Sequence, residues 1–510
     1  MDYKNIPVEK FKFADSSRKT GDKKFDTKPV SYAKDVWMRF CKNKSSVVAA
    51  CIILFLLLFS IFVPIFFGTT YSESLTDTTY LQYAKLLPKS ELLSKVGIWD
   101  GCKKVTINKA EYYYWNAIYE ETGYQIMPEV YRADYREQGT ISNTTFYDVK
   151  MDSYIKNGMT YLTLTGAQFE ALQDWQDETG IQVIYPAVDQ SKIKNSMYKS
   201  DANIWYENDQ KGAPIINAKG EYKDIYLTTG NADGYHSLRI EGDDGSYRYA
   251  RIGGTSDNKT YTVRVFKYTY FQYRYGEEPC FLFGTNAKGQ DLMTRLAAGA
   301  RFSLILAVGV SFVNLLIGAI IGAIEGYYGG IVDIAIERVI DVLGGMPQMV
   351  VMALFQLHLA SKVGPVWSMI FAFVLTGWIG MAARTRMQFY RFKNQEYVLA
   401  ARTLGANDRR LMFKHIFPNA MGTLITGSVL YIPGVIFSES SLTYLGIVNL
   451  ESSTQTSVGT LLSNGNGMLA SFPHIILFPA LFISLLEISF NLFGNGLRDA
   501  FNPSLKGVED

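Results

Sequence analysis

The sequence predicts a mainly α-helical, polytopic membrane protein with six transmembrane helices and a large extracellular α/β insert between helices 1 and 2. Two observations carry this reading. Long uncharged apolar runs alternate with polar segments, and about 20 consecutive apolar residues suffice to cross a hydrocarbon core. Lysine and arginine are spread very unevenly among the polar segments, and that asymmetry sets which side each one faces.

Average composition conceals the pattern. Of 510 residues, 48% are hydrophobic and 19% charged, values a soluble protein would also show, so local runs decide the class. Residues 1–46 form a basic N-terminal segment, and 47–67 form the first apolar run. A run so far from the N-terminus, without a small-residue cleavage site, reads as a signal anchor rather than a cleaved signal peptide. Five more candidates follow at Phe302–Ile324, Ile334–Leu359, Pro365–Ala383, Ala420–Ser438 and Ile475–Leu492. Asp341 and Pro347 interrupt the run at Ile334–Leu359.

Basic residues fill the chain from Lys4 to Lys44, and they recur before the fifth span as Arg384, Arg386, Arg391, Lys393, Arg402, Arg409, Arg410 and Lys414. Glu439 to His474 contains none. Both basic segments are therefore expected in the cytoplasm, with both termini and a short tail at 504–510, and residues 68–283 outside a multi-pass cytoplasmic membrane protein. A basic arm beside a span reads as charge held near anionic lipid, not as a nucleic-acid contact.

The insert has its own pattern. Tyr261–Tyr268 alternates like a half-buried strand, and Gly242-Asp-Asp-Gly245 reads as a hairpin turn. A repeat is visible: Val105–Ala110, Glu111–Glu121 and Thr122–Ile126 register without a gap on Leu162–Ala167, Gln168–Glu178 and Thr179–Val183. Each copy reads as strand, helix, strand, with Gly123 and Gly180 as left-handed helix caps. The aromatic cluster Tyr112 to Trp115 suits either a core or a protein-binding surface. Cys102 and Cys280 would both lie outside, where a disulfide and two free thiols are equally open.

Catalytic chemistry is missing from the pattern. His236, His358, His415 and His474 lack metal-ligand spacing, no nucleophile stands beside a base, and no G-x-x-x-x-G-K-[ST] phosphate loop occurs. The expectation is a non-catalytic subunit with no cofactor or metal of its own.

The most informative polar segment is Glu396 to Asn419. Glu396–Leu404 suits a short amphipathic helix with Val398, Ala401 and Leu404 on one side. Gly405 ends it, Asn407 or Asp408 caps the next helix, and that helix offers Leu411, Met412, His415 and Ile416 before stopping at Pro418. Physics alone leaves an interfacial helical hairpin.

The residues are more specific. Glu396, Ala400, Ala401, Gly405, His415, Pro418 and Asn419 resemble the EAA coupling loop of ABC importer permeases of the dipeptide and oligopeptide type. Gly284–Asp291, Gly326–Gly330 with Asp333, Glu439–Gly446 and Asn491–Asp499 resemble further segments of that family in the same order. Asn286 and Gln290 depart from an acidic and a basic residue, and Asn495 and Asn502 from aspartates. The large insert has no counterpart in the pattern.

The resemblance implies an ABC permease domain at 284–503 with its coupling loop at 396–419. It implies a second homologous permease, two ATPase subunits that bind ATP and Mg, an extracellular or periplasmic substrate-binding protein, and a peptide substrate. Nickel chelates, opines or glutathione are alternative cargoes within the same architecture. A membrane-anchored receptor or adhesion protein acting through the insert is the alternative of another class. Glu439, near the outer end of span five, is a candidate for the external gate or its packing. Glu487 lies within span six, where an ionisable group faces a pathway or a partner. Glu337, Arg338 and Asp341 read as one structural charge cluster.

Overall fold

The structure, a computed structural model, describes residues 32–67, 83–136, 145–188, 200, 202–203, 248–255, 258–451 and 455–501. The chain enters through α1 (Tyr32–Lys42) and α2 (Lys44–Phe66). Asn43 separates them, its side chain accepting from the Ser46 amide at 3.4 Å, which satisfies one of the orphan N–H groups of the new helix. The uncharged stretch after Lys44 makes α2 the first candidate span.

Two related units follow. The first comprises β1 (Cys102–Asn108), α3 (Lys109–Thr122), β2 (Glu129–Tyr135) and β3 (Phe146–Asp152). The second comprises β4 (Met159–Thr165), α4 (Gly166–Thr179), β5 (Ile184–Tyr185), β6 (Ala250–Thr255) and β7 (Asn258–Phe266), closed by α5 (Lys267–Tyr275). All pairings are antiparallel: β3 lies between β1 and β2, and β7 takes β4, β5 and β6 as partners.

A shift of 57 residues carries β1 onto β4 and α3 onto α4, end to end. The small bonds follow the same shift. Thr122 donates to the Ile118 carbonyl and Thr179 to that of Trp175. The Gln125 amide donates to Met127 O and that of Gln182 to Ile184 O. Gly123 and Gly180 close their helices at φ +75° and +71°, in the left-handed region that favours glycine. One expectation needs correction. The second strand starts at Glu129 in the first copy and at Ile184 in the second, not within Thr122–Ile126 or Thr179–Val183, because each of those stretches first turns off its glycine cap. The expected turn at Gly242–Gly245 lies outside the described residues.

The units share a core, and the second has another of its own around Leu164, Leu172, Val263 and Val265. Ile118, Tyr147, Val149, Met159 and Phe266 are buried in a single cluster, and Tyr112 stacks on Tyr147 at 4.1 Å. Arg264 of β7 reaches across to Glu121 of α3, with paired bonds of 2.9 and 3.1 Å. Its Nε donates to the Ala202 carbonyl at 2.9 Å. Both side chains are sealed, at 0% and 2% exposure, so each charge depends on the other to offset its desolvation. Cys102 and Cys280 are free thiols, directed at the carbonyls of Asp100 and Lys89.

Beyond this region the chain is helical: α6 (Leu292–Tyr328), α7 (Gly330–Gly344), α8 (Gln348–His358), α9 (Pro365–Gly377), α10 (Ile379–Phe392), α11 (Glu396–Thr403), α12 (Asp408–Tyr444), α13 (Val458–Gly465) and α14 (His474–Phe501). Among the described residues, five helical segments are long and apolar enough to cross a membrane: α2, α6, α9 with α10, α12 and α14. The α7–α8 pair qualifies only as a span bent by 74°. The break falls at Gly345-Met-Pro347, where proline lacks the N–H and the space to continue a helix.

Helices α6 and α10 meet backbone to backbone. A Cβ at Gly322 would lie 2.2 Å from the Ala382 carbonyl, and one at Gly318 would lie 2.7 Å from that of Trp378. Small residues of this kind let membrane helices associate by close packing. The β-rich unit is fixed to this bundle. Leu86 and Thr285 exchange bonds of 2.8 and 3.0 Å, Trp99 packs edge-on against Phe283 and Phe478, and Lys103 donates to Ser471 O at 2.9 Å. Asn286 and Gln290, the neutral replacements, bond to each other at 3.1 Å while buried.

Candidate functional site

The hairpin from Glu396 to Asn419 folds as a docked knob. Asn407 caps α12, its side chain accepting from the Arg410 amide at 2.9 Å. Gly405, at φ +83°, makes the turn. Inward, Val398, Leu411, Met412 and Ile416 are buried against Ala323 of α6 and Phe389 of α10. Tyr327, on the last turn of α6, donates to Asp408 and accepts from Arg402. The knob therefore rests on the ends of two long helices.

Its outer face is open. Glu396, Ala400, Gly405, Pro418 and Asn419 are exposed, while Ala401 and His415 are half-buried. Leu404, expected beside Val398 and Ala401 on the packed side, is instead 88% exposed at the tip. It caps the helix end, where the turn at Gly405 swings it away from the bundle. Asn419 Nδ2 donates to Tyr397 Oη at 3.1 Å and to His415 O at 2.8 Å, tying the two helices together. Burial pushes the Tyr397 phenol up, and the bond from Asn419 draws it partly back.

The second helix does not stop at Pro418. It runs on to Tyr444 through a widened turn at Leu411–Ile416, in which Phe417 N–H reaches back to Met412 O. A π-type turn moves the bonding register, so the missing N–H and bulky ring of Pro418 are accommodated. The hairpin is thereby continuous with the apolar helix α12.

The expected cluster of Glu337, Arg338 and Asp341 divides in two. Arg338 and Asp341 form an exposed pair at 3.2 Å. Glu337 instead joins Asp333 on Arg386, each at 2.6 Å, because helical spacing turns Glu337 and Asp333 together toward α10. Tyr390 also donates to Asp333 at 2.8 Å. Sequence reasoning missed Arg386, Tyr390 and Tyr327; their signal is only a polar residue placed near a helix end.

Glu439 is fully buried. Its carboxylate accepts from Ser303 at 2.9 Å and from Ser440 and Thr443 at 3.4 and 3.5 Å, so it bridges α6 and α12. Glu487 is half-buried on α14, and among the described residues no side chain bonds its carboxylate.

Fold and hairpin together define a class: a helical membrane protein with an exposed, docked helical hairpin between two of its spans. Comparison with known proteins makes it specific. Residues 293–507 match the family of binding-protein-dependent transport system inner membrane components, and residues 31–88 match the N-terminal transmembrane domain of oligopeptide transport permease C. The oligopeptide transport system permease protein OppC of Bacillus subtilis is 41% identical over 44% of this chain and 72% of its own length. The dipeptide permease DppC of the same organism is 39% identical, over 44% and 69%. The OppC of Haemophilus influenzae is 38% identical, over 43% and 70%. The chain belongs to this family of ABC transport permeases.

Proposed function

We propose that this chain is one permease subunit of an ATP-driven importer of peptides, non-catalytic itself and powered by separate ATPases. The observation that carries the reading is the hairpin: an exposed tip at Leu404 and Gly405, a buried inner face, and unbroken helical continuity into α12. The relatives named as oligopeptide and dipeptide permeases support the cargo class. In this reading two ATPases receive the knobs of this chain and of a second, homologous permease, and their closure on ATP and Mg rocks the spans between states.

The same reading places Glu396, Ala400, Ala401, Gly405, His415, Pro418 and Asn419 at the ATPase contact. It takes the bent α7–α8 pair as the sixth span, with both termini in the cytoplasm and residues 68–283 outside. There the β-rich unit stands over the outer end of the bundle, next to where a substrate-binding protein delivers its load. Glu439 holds the outer helix ends together as part of the gate. Glu487 faces the path or the second permease.

Labelled-peptide uptake by the reconstituted complex tests the proposal. Gly405→Pro and Glu396→Lys should each abolish uptake while the chain still inserts and co-purifies with its partner permease. Normal uptake by both variants would overturn the assignment.

A further inference from the structure

A cavity of about 420 Å³ lies within the membrane portion, walled by α6, α9 with α10, and α12 and by the break between α7 and α8. It sits where α7 gives way to α8, so irregular backbone lines it on that side. Within a bilayer, such backbone persists only where protein or a water-filled cavity satisfies it. The volume falls in the range of roughly 300–1,000 Å³ typical of small-ligand sites.

Two of its buried polar atoms lack partners among the described residues. Ser311 and Asn314 line it and are each only 2% exposed. The Ser311 hydroxyl and the Asn314 side-chain oxygen have no hydrogen-bond partner. The Asn314 amide nitrogen reaches Tyr431 Oη at 3.5 Å. A Cβ at Gly377 would lie 2.3 Å from that nitrogen and 2.5 Å from Tyr431 Oη, so the glycine keeps both groups presented to the cavity. Arg384 lines the same space, and among the described residues no carboxylate or other side chain partners it. Its neighbour Arg386, one position further than the next residue, holds two carboxylates. Arg384 follows the apolar run directly and is exposed, so its guanidinium stands at the mouth of this polar space, open to a ligand's carboxylate.

We infer that this cavity is a peptide subsite of the translocation path: Ser311, Asn314 and Tyr431 engage the main chain of an extended peptide, and Arg384 takes its terminal carboxylate. The chemistry matches group by group. A peptide main chain brings donors and acceptors for an amide, a hydroxyl and a phenol, and the free carboxylate suits the planar fork of a guanidinium. The aliphatic walls at Leu315, Met346 and Leu430 offer no charge, so side chains of many kinds can pass. This inference rests on the peptide-import reading above.

The test uses the complete complex with its ATPases and binding protein in proteoliposomes, at saturating loaded binding protein. Uptake is compared for one labelled peptide with a free C-terminal carboxylate and for its C-terminally amidated form. The native complex should favour the free acid, and Arg384→Gln should erase a preference of about tenfold, the scale of one charge-assisted bond. Arg384→Lys should keep part of it, and Asn314→Leu should slow both peptides alike. A wild-type complex without preference, or an Arg384→Gln complex that retains it, overturns the subsite while peptide import stands. Failure of the wild-type complex to import either peptide sinks the import reading, and the subsite with it. A photoreactive group at the peptide C-terminus gives a measurement that needs no variant. During turnover, adducts should map to α6, α10 or α12 around Arg384, and adducts confined to other helices would overturn the assignment.

Discussion

The two halves of the molecule are held together by opposite means. The β-rich unit spends its polar groups on each other: ladder bonds, a capped repeat, and an Arg264–Glu121 pair sealed at 0% and 2% exposure. The helical bundle packs by bringing backbones close, through glycines such as Gly318 and Gly322 on α6, and among the described residues it leaves the Ser311 hydroxyl and the Asn314 side-chain oxygen without partners beside a cavity. The difference teaches where work is done. A region held by a sealed ion pair and ladder bonds is a support, and one that packs by close backbone contact is suited to motion.

Removing one side of the sealed ion pair should have the largest effect. Glu121→Ala leaves the Arg264 guanidinium buried without its carboxylate and should cost about 3–5 kcal/mol. Hydrogen exchange should show it in both β-sheets, while α6 to α14 keep their protection. Loss of protection across the helices as well would mean that the two halves unfold as one unit.

The bundle is broken differently. At Gly322 any side chain meets the Ala382 carbonyl, so Gly322→Val should cost about 1–3 kcal/mol by overpacking. It should lower the detergent melting temperature of the bundle and leave the β-rich unit intact.

A smaller effect sharpens the repeat. Gly123→Ala and Gly180→Ala each place a Cβ in the left-handed region with nothing within 4 Å to clash, so both should cost the same, about 1 kcal/mol, from backbone alone. Unequal losses in urea unfolding of the β-rich unit would show that the two caps are not equivalent.

The mildest test is chemical. Burial pushes the Cys102 thiol up to about 12, so little thiolate exists near neutrality. Because thiolate is the reacting form, maleimide labelling at Cys102 should be slow at pH 7 and rise about tenfold per pH unit up to pH 10. Fast labelling at neutral pH would contradict its packing.

Much of this was legible in the sequence, for physical reasons that also explain the remainder. The spans show because each apolar run is local. The duplication shows because helix caps and the strand before each helix are local too, as Gly123 with Gly180 and Gln125 with Gln182 demonstrate. The hairpin residues are contiguous, so Val398, Asn407 and Gly405 could be assigned roles before any contact was known. Long-range pairings were not legible. Arg264 and Glu121 are far apart in the chain, and Arg386 gathers Asp333 and Glu337 from another helix. Pro418 reads as a stop because proline usually is one, and only a turn that changes its bonding register lets the helix continue. The cavity depends on the α7–α8 break meeting α6, α10 and α12 in space, which no single stretch of sequence reports.

The central claim is that the hairpin tip meets an ATPase, and a cysteine at its most exposed residue tests it most directly. With the four native cysteines replaced, Leu404→Cys should cross-link to the ATPase subunit in native membranes, with a yield that changes between ATP-bound and nucleotide-free states. A complex that co-purifies with its ATPases yet gives no such adduct, or a Leu404→Cys thiol labelled by impermeant reagent from outside the cell, would contradict the account.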